Sequence, residues 1–280
     1  MQNKGIEINL RSTNIDHDNF SWRTNASFWL NRNKIVHLYG PVNVRDEEGK
    51  VIGQVEKDDL DNKWFIGHDL NEIWDQRVQG IWQSNEADQA SEYGVFPGDF
   101  KVQDVDGDKK YSDADRQFLG FTTPRFQWTL RNEFTLFKNF DFSFMLYSSW
   151  GQKASYNEAK NNRGFQDRQN SYKFPYWTPE NPINDYARLY SSNGGATFSV
   201  YRNSSFIRLN NVSLAYTLPA RIVEKATLES MKVYVNVTNA AMFAPDWDYW
   251  DPEFRNRNSS GDISTAIPPR YYSLGVNVIF

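Results

Sequence analysis

The 280-residue sequence has no cysteine, so it holds neither a disulfide framework nor a Cys-ligated metal site. No apolar run approaches the roughly 18 residues that a membrane-spanning helix requires. The net charge is only −4, which excludes a broad basic surface for nucleic acid. The three histidines show no metal-ligand spacing, and neither GxSxG nor a phosphate-binding loop is present. The sequence therefore gives no support for an enzyme.

Aromatic residues are abundant by contrast. The 10 Trp, 15 Tyr and 20 Phe make up 16% of the chain, although hydrophobic residues as a whole reach only 39%. Large rings set among polar residues are typical of a surface that meets both water and lipid. The N-terminus, MQNKGIEINL, lacks the charged and apolar regions of a signal peptide. A membrane-type chain without an export signal is expected to be incomplete.

Apolar and polar residues alternate with period two along most of the chain, which predicts β-strands rather than helices. The alternation is clearest in GIEINLR (5–11), FSWRTNASFWL (20–30), RFQWTLRNEFTLF (125–137), FDFSFML (140–146) and YSLGVNVIF (272–280). We predict about nine strands, of about ten residues or more, the length that a tilted membrane strand needs. The parity slips at Asn210 and Asn211, where we expect a bulge.

The predicted strands are joined alternately by short and long links. The short links fall at about 14–18, 68–72, 137–139 and 219–230, and the long ones at about 36–61, 84–123, 150–204 and 240–270. Tight turns at one end and long loops at the other are typical of outer-membrane barrels. A soluble sandwich has no reason to place every long loop at one end. The strand at 60–67 has the weakest pattern, and the alternating count depends on it.

An acidic stretch, DVDGDKKYSDAD (104–115), resembles a calcium-binding loop. Asp104, Asp106 and Asp108 alternate, and Asp115 follows at the twelfth place, as carboxylate ligands do in such loops. Two departures are that Lys109 stands where the loop pattern has Gly, and that the closing residue is Asp rather than Glu. The alternative interpretation is an acidic turn held by hydrogen bonds from aspartate side chains to the backbone. The residues alone leave both interpretations open.

Two loop stretches, YWTPENP (176–182) and APDWDYWDPEF (244–254), concentrate aromatic rings. The candidates for contact with a substrate or a partner are Trp177, Trp247, Tyr249 and Trp250. Such rings could stack on sugar faces or seal against another protein. The alternative is packing within the loops and an aromatic belt at the membrane interface.

The end of the chain carries one apolar stripe, made of Tyr272, Leu274, Val276, Val278 and Phe280. A last strand that ends on an aromatic residue resembles the insertion signal that the outer-membrane assembly machinery reads. The alternative is an ordinary terminal strand. Because the alternation runs back to Tyr272, we favour the assembly signal.

Several segments spread over nearly all 280 residues form a recognisable series: NKGIEI (3–8), FSWRTNASFWLNRNKIVHL (20–38), GIWQS (80–84), PGDFKVQDVDGD (97–108), DRQFLG (115–120), FKNFDFSF (137–144), YWTPENP (176–182), SSFIRLNNVSLAYTLP (204–219), VYVNVTNA (233–240) and DPE (251–253). Together they resemble the SusC/RagA-type TonB-dependent transporters of the outer membrane. No single segment is decisive, but their order and spacing make the resemblance specific.

The resemblance implies an all-β, antiparallel transmembrane barrel of about 22 strands around a plug domain, of which residues 1–280 supply the C-terminal part. The plug domain, the signal peptide and the N-terminal segment that engages TonB are expected to be absent from this sequence. Members of the family are non-enzymatic importers of oligosaccharides or peptides, and a SusD-type surface lipoprotein closes over the extracellular mouth. The family places the segment 97–108 in an extracellular loop, where Ca²⁺ is the one cofactor to consider.

The alternative function is a secreted or surface β-rich carbohydrate-binding module, with aromatic rings that stack on sugars. An export signal and a plug encoded upstream of Met1 would favour the transporter, and a complete short gene would favour the module. Part of a barrel would leave two open strand edges, along residues 6–10 and along Tyr272 to Phe280. We therefore expect residues 1–280, produced alone in the cytoplasm, to aggregate.

Overall fold

The computed structural model describes residues 1–161, 173–253 and 268–280. The predicted long links at 150–204 and 240–270 extend into the residues outside these ranges, and Phe254 also lies outside them. Within the described ranges no helix has the length and apolar character needed to cross a membrane.

Strands dominate the structure. The first half of the chain forms β1 (Gln2–His17), β2 (Phe20–Lys34), β3 (Val42–Arg45), β4 (Val51–Val55), β5 (Glu72–Gln76), β6 (Val78–Ile81), β7 (Phe100–Val102) and β8 (Arg116–Phe121). The second half forms β9 (Phe126–Leu136), β10 (Phe140–Trp150), β11 (Lys153–Ser155), β12 (Tyr201–Asn203), β13 (Phe206–Thr217), β14 (Ser230–Phe243) and β15 (Tyr271–Ile279). Helical pieces are short: α1 (Ala87–Glu92), α2 (Ala220–Val223), and 3-10 turns at Ser84–Glu86, Asp113–Asp115, Asn157–Lys160 and Glu224–Ala226.

Seven of the strands form one antiparallel sheet, in the order β1-β2-β9-β10-β13-β14-β15. Their lengths run from 9 residues in β15 to 16 residues in β1. At about 3.3 Å per residue these strands reach about 30 Å or more, enough for a tilted strand to cross a bilayer. The expected all-β, antiparallel architecture is confirmed. β1 and β15 are the two edges of this sheet, as the sequence predicts.

Aromatic rings cover one face of the main sheet, here called the apolar face. The register places Trp22 opposite Phe134 and Phe134 opposite Phe142, and the ring centroids lie 5.9 and 6.0 Å apart. Phe28 and Phe126 pack in the same way at 6.0 Å. Each such pair contributes about 0.5–1.5 kcal/mol beyond the area it buries. The other side, here called the polar face, carries the charged and hydrogen-bonding residues of the same strands, because side chains alternate along a strand.

Asn132 is a polar residue within the apolar face. Its Oδ1 accepts hydrogen bonds from Trp22 Nε1 at 2.8 Å and from Thr24 Oγ1 at 2.7 Å. The Thr24 hydroxyl accepts in turn from Asn14 Nδ2 at 2.6 Å. These bonds join β1, β2 and β9, so they satisfy polar groups that would be costly to leave unpaired in an apolar setting.

The links between strands of the main sheet alternate in length. Those at 18–19, 137–139 and 218–229 are short, and those at 35–125, 151–205 and 244–270 are long. Because neighbouring strands are antiparallel, the short links all lie at one end of the sheet and the long links at the other. This confirms the predicted alternation, except that the expected short link at 68–72 lies inside the long link 35–125.

The main sheet has seven strands where the sequence predicts nine. Residues 60–67 form only isolated bridges, and the predicted strand after residue 72 becomes β5 and β6, which pair with β8 and β7 in two small sheets. The reason is side-chain packing within the loops, where the rings of Phe65, Trp74 and Phe118 contact one another at centroid distances of 4.6 to 5.1 Å. Both segments therefore belong to one long link.

The bulge predicted at Asn210 and Asn211 is confirmed. Pairing with β10 passes from Met145–Asn211 to Leu146–Leu209, so Asn210 is left without a partner in that register. The pairing with β14 is interrupted at the same place. The extra residue reverses the parity of β13, so that Arg208 lies opposite Tyr147, on the polar face.

Candidate functional site

The long links fold together over one end of the sheet and have a hydrophobic core of their own, here called the loop core. It is continuous from the segment after β5 to residue 250, so the loops support one another rather than standing separately. Its buried members are Ile81, Trp82, Ala90, Val95, Phe100, Val102, Tyr111, Ala154, Tyr156, Ala159, Phe174, Trp177, Tyr186, Ala187, Phe198, Val200, Trp247 and Trp250.

Gly98, in the PGD turn at 97–99, is the point of closest approach between two of these loops. Its φ is +91°, in the left-handed region that favours glycine. A β-carbon at this position would lie 2.5 Å from Cε3 of Trp177 and 2.8 Å from Cβ of Arg188. Only glycine therefore lets the two loops pack at this distance.

Asp99, the next residue, is fully buried and holds the same two loops together through its carboxylate. One oxygen accepts from Arg188 Nε and from the backbone N–H of Ser192, both at 2.8 Å. The other oxygen accepts from the backbone N–H of Phe96 at 2.9 Å. Charge-assisted bonds of this kind are about twice as strong as neutral ones, so the PGD turn fixes the loop core.

A second buried ion pair joins the wall of the sheet to the loop at 244–253. Arg208 Nη2 donates to both carboxylate oxygens of Asp251, at 2.7 and 2.6 Å. The same nitrogen lies 3.1 Å from Glu253, which also accepts from the Tyr147 hydroxyl at 2.6 Å. Because the pair is buried, removal of either partner would leave an uncompensated charge. The DPE segment at 251–253 is thus an anchor for its loop.

Burial also shifts the pKa of titratable groups in the long links, here called the loop layer, among them Lys160, Glu158 and Tyr201. Burial lowers the pKa of Lys160, against an opposing effect of Asp75, and the ammonium donates to the Phe198 carbonyl. Burial raises the pKa of Glu158. Burial, followed by the charge of Asp75, raises the pKa of Tyr201 to about 12. None of the three lines the cleft described below, so these shifts reflect packing rather than chemistry.

The acidic loop brings three of its four candidate ligands together. Carboxylate oxygens of Asp104, Asp106 and Asp108 lie within 4.8 Å of one another. The backbone bonds that the alternative interpretation predicts are also present, since Gly107 N–H donates to Asp104 at 2.7 Å and Lys110 N–H donates to Asp108 at 2.8 Å. The arrangement therefore fits an Asx turn and a calcium loop equally, and calcium binding stays a prediction.

Asp115 is separate from this group and closes the loop by hydrogen bonding. Its two oxygens accept from the backbone N–H groups of Val105, at 2.7 Å, and Ser112, at 2.8 Å. Lys109 has a φ of +62°, so it makes the left-handed turn that calcium loops usually assign to Gly. The backbone path of the loop survives this departure from the pattern.

Of the four candidate aromatic residues, three are buried. Trp177, Trp247 and Trp250 belong to the loop core, and Trp177 Nε1 donates to Gln83 Oε1 at 2.9 Å. This burial agrees with the alternative interpretation, in which these rings pack within the loops. Tyr249 is 44% exposed, and it is the one member of the set that presents its ring to solvent.

Tyr249 lines an open cleft of about 460 Å³ on the loop layer. Its ring meets Phe174 edge to face, with centroids 4.9 Å apart. Aromatic surfaces beside hydroxyl and amide groups suit a sugar ring or a peptide. The lining residues are Lys173, Phe174, Pro175, Tyr176, Thr178, Asn181 and Tyr249.

The C-terminal stripe lies on the edge strand β15, except that Phe280 follows the last residue of the strand. Leu274 and Val276 pair with Val235 and Val233 of β14, so the stripe continues the apolar face. Leu274 is 76% exposed and Phe280 is 90% exposed. The structure thus presents these side chains on an outer surface.

The sequence arguments did not single out Gly98, Asp99, Arg188 or Tyr176, although the stretch YWTPENP (176–182) contains Tyr176. A signal was present for the first two, because a Pro-Gly-Asp triplet marks a turn with a required backbone conformation. Arg188 carries no local signal, since its role depends on a loop far away in the chain.

A long-stranded antiparallel sheet with an aromatic face has tight turns at one end and a folded loop layer at the other. This arrangement is typical of part of a β-barrel wall with its loops. The chain is 32% identical over 302 residues to TonB-dependent receptor P26 of Formosa agariphila. It is 26% identical over 296 residues to TonB-dependent receptor P3 of the same organism. Both alignments cover 100% of the chain but only 29% of the relative, so the chain spans less than a third of either protein. No protein-family model matches the chain.

Solved structures with the same fold come from RagAB. The RagAB peptide transporter matches with a TM-score of 0.66 and 19% identity, over 99% of this chain and 29% of that one. The RagAB peptide importer in its open-open state matches with a TM-score of 0.64 and 19% identity, over 99% and 28%. The predicted resemblance to TonB-dependent transporters is thus confirmed along the whole chain, and the RagAB structures share its fold.

Proposed function

We propose that the chain forms part of an outer-membrane importer, energised through TonB, that takes up oligosaccharides or peptides. The observation that carries the proposal is the main sheet, with strands long enough to cross a bilayer and all long loops at one end. In this setting the apolar face meets lipid and the polar face lines the lumen. The similarity of the whole chain to part of TonB-dependent receptors, and the importer named in the structural matches, support the same proposal.

We infer further that residues 1–280 form the C-terminal part of a barrel of about 22 strands, with the plug domain elsewhere. The exposed edges of β1 and β15 support this inference, since each pairs on one side only. The stripe at Tyr272, Leu274, Val276, Val278 and Phe280 would then be read by the outer-membrane assembly machinery.

A SusD-type surface lipoprotein is the partner that we propose for the loop layer. The hairpin of β3 and β4 supports a contact there, because every residue of β4 is exposed. Val42, Ile52 and Val55 place apolar side chains on that hairpin, which is unusual for a loop that meets only water. The contact with TonB itself would be made through sequence outside this chain.

For the cargo, the cleft at Tyr176 and Tyr249 is the proposed first contact. Rings of this kind stack on sugars or on peptide side chains, while Thr178 and Asn181 offer hydrogen bonds. A free-standing carbohydrate-binding module is less well supported, because three of the four rings it would offer to sugars are buried. The relatives are named as receptors and importers rather than enzymes, which is consistent with a non-enzymatic role.

The test is uptake by cells with and without the gene. Deletion is expected to abolish growth on one class of oligosaccharide or peptide. In wild-type cells, a protonophore is expected to stop uptake of the same cargo. The paired substitution Tyr176→Ala and Tyr249→Ala should weaken binding of that cargo to the intact protein. Tyr190→Ala is the matched control, because Tyr190 is exposed on the loops but lies outside the cleft. Uptake that is unchanged after deletion would refute the importer.

A further inference from the structure

Three arginines meet on the polar face, on the first three strands of the sheet order. The register aligns Arg11 of β1, Asn25 of β2 and Arg131 of β9 in one row across the strands. The next row aligns Thr13 of β1, Arg23 of β2 and Glu133 of β9. Because neighbouring strands are about 4.8 Å apart, the three guanidinium groups share a region about 10 Å wide.

The charges in this region do not balance. Arg131 Nε donates to Glu133 at 2.7 Å, and this is an exposed pair. Over the described ranges of the chain, Arg11 and Arg23 form no ion pair and no side-chain hydrogen bond. Three positive charges against one negative charge leave an excess of two in these two rows. On the same face β1 also carries Glu7 and Asp16, which do not line the cleft described next.

The same residues enclose a concave site. A cleft of about 310 Å³ is lined by Arg11, Ser12, Thr13, Arg23, Thr24, Asn25, Arg131 and Glu133. A β-bulge interrupts the pairing of β1 and β2 between Thr13 and Ile15, directly beside the cleft. Bulges re-aim side chains and are frequent next to binding sites. Hydroxyl and amide groups of Thr13 and Asn25 add neutral donors beside the arginines.

We propose that this cleft, here called the arginine cleft, binds carboxylate groups on the imported cargo, so that the importer prefers acidic oligomers. The proposal rests on the import function given above. Planar guanidinium groups match these oxyanions with paired hydrogen bonds, and a wet lumen lets the anion enter without full desolvation. An acidic cargo descending along the wall would thus exchange its counterions for Arg11 and Arg23.

Binding to the intact protein in detergent tests this preference with two matched pairs of probes. One pair is trigalacturonic acid and neutral maltotriose, and the other is an acidic pentapeptide with two glutamates and its glutamine counterpart. The acidic member of at least one pair should bind on the order of tenfold more tightly, and the advantage should shrink as salt is raised. The pair that shows the preference identifies the source of the carboxylate.

Substitutions then locate the preference. Arg11→Gln with Arg23→Gln should abolish the advantage of the acidic probe and leave the neutral probe unchanged, whereas Glu133→Gln should increase it. Lys4→Gln is the control, because it removes one positive charge from the same strand outside the cleft. Equal binding of acidic and neutral probes by the wild type would overturn the proposal, whatever the variants do.

An alternative occupant is a carboxylate-bearing segment of protein seated in the barrel. In that case the double arginine variant would lower the melting temperature of the intact protein while the relative binding of the probes stayed the same, which would also overturn the proposal. Uptake that depends on the gene but shows no preference for acidic cargo would contradict the proposed role of the arginine cleft and leave the import function standing. Loss of gene-dependent uptake of every cargo would instead remove the import function on which it rests.

Discussion

The absence of a side chain at Gly98 allows two loops to pack against each other. Replacement by alanine puts a β-carbon against Trp177 and Arg188 and also forces a non-glycine residue to keep a φ of +91°. Left-handed strain and overpacking together should cost about 2–4 kcal/mol of loop-layer stability. Hydrogen exchange of the loops in the intact protein measures the change.

Gly107→Ala is the matched control for this substitution. Gly107 also has a positive φ, +78°, but no atom lies within 4 Å of the position of its β-carbon. Gly107→Ala should therefore cost only about 1 kcal/mol of stability, which comes from the left-handed backbone conformation. Equal exchange rates in the two variants would show that packing at Gly98 contributes nothing.

The hydrogen bonds of Asn132 provide a second prediction about single residues. Asn132→Leu removes the acceptor of Trp22 Nε1 and of the Thr24 hydroxyl, and both lie on the apolar face. The intact protein should lose about 1–3 kcal/mol, seen as a lower midpoint of thermal unfolding in detergent. Asn236→Leu on β14 is the control, because Asn236 lies opposite Ser213 on the polar face, and it should shift the midpoint little. A leucine at 132 that stabilises the protein would contradict the assigned network.

The aromatic residues also show why single roles are hard to predict from sequence. Trp250 stacks on Tyr156 with centroids 4.5 Å apart, although the two residues are widely separated in the chain. A tryptophan in a polar loop looks the same in sequence whether it meets solvent or a distant loop. Tyr249 and Trp250 are neighbours with opposite exposure, so local composition could not separate them.

Among the loop elements, the acidic turn is the one whose ligand is directly testable. If it binds calcium, titration of the intact protein should show Ca²⁺-dependent heat. Asp106→Asn or Asp108→Asn should weaken binding on the order of tenfold, because one of three carboxylate charges is lost. Lys109→Gly should strengthen it, since it relieves a φ of +62° and removes a positive charge beside the site.

Asp88→Asn serves as the control for these titrations, because Asp88 is exposed on α1 and does not belong to the aspartate group. It should leave the heat unchanged. A wild-type protein that gives no heat would leave the Asx turn as the whole explanation of the sequence DVDGDKKYSDAD.

Strands of the main sheet could be predicted because period-two alternation is a local property. β9 and β10 are 11 residues long, and β13 alternates on either side of its bulge. The same property misled the count at 60–67 and after residue 72. There the alternating aromatic residues face Phe118 within the loops and not a neighbouring wall strand. Alternation of apolar and polar residues indicates that one side of a segment is buried. It does not indicate whether a neighbouring wall strand or a loop covers that side.

For the whole molecule, the exposed surfaces predict its behaviour outside a membrane. Ile6, Ile8 and Leu10 on one edge strand and Leu274 on the other are more than half exposed, beside backbone groups that have no partner strand in the described sheet. Unpaired edges and a wide apolar face both promote association in water.

We therefore expect residues 1–280, produced alone in the cytoplasm, to form aggregates or inclusion bodies. Size-exclusion chromatography and circular dichroism without detergent are the measurements. Addition of a mild detergent during refolding is the control and should reduce the aggregated fraction. A detergent-free monomer with a cooperative melt would instead favour the carbohydrate-binding module.

The number of strands in the main sheet has a consequence for how it can close. Seven antiparallel strands in chain order give the first and last strand the same direction, both running from the long loops towards the tight turns. If β15 bent round to meet β1, the two would pair in parallel, against the pattern of every other pair in the sheet. An antiparallel ring that contains this wall has to insert an odd number of further strands between β15 and β1. Because β1 and β15 run in the same direction, the number of strands that complete an antiparallel ring must be odd.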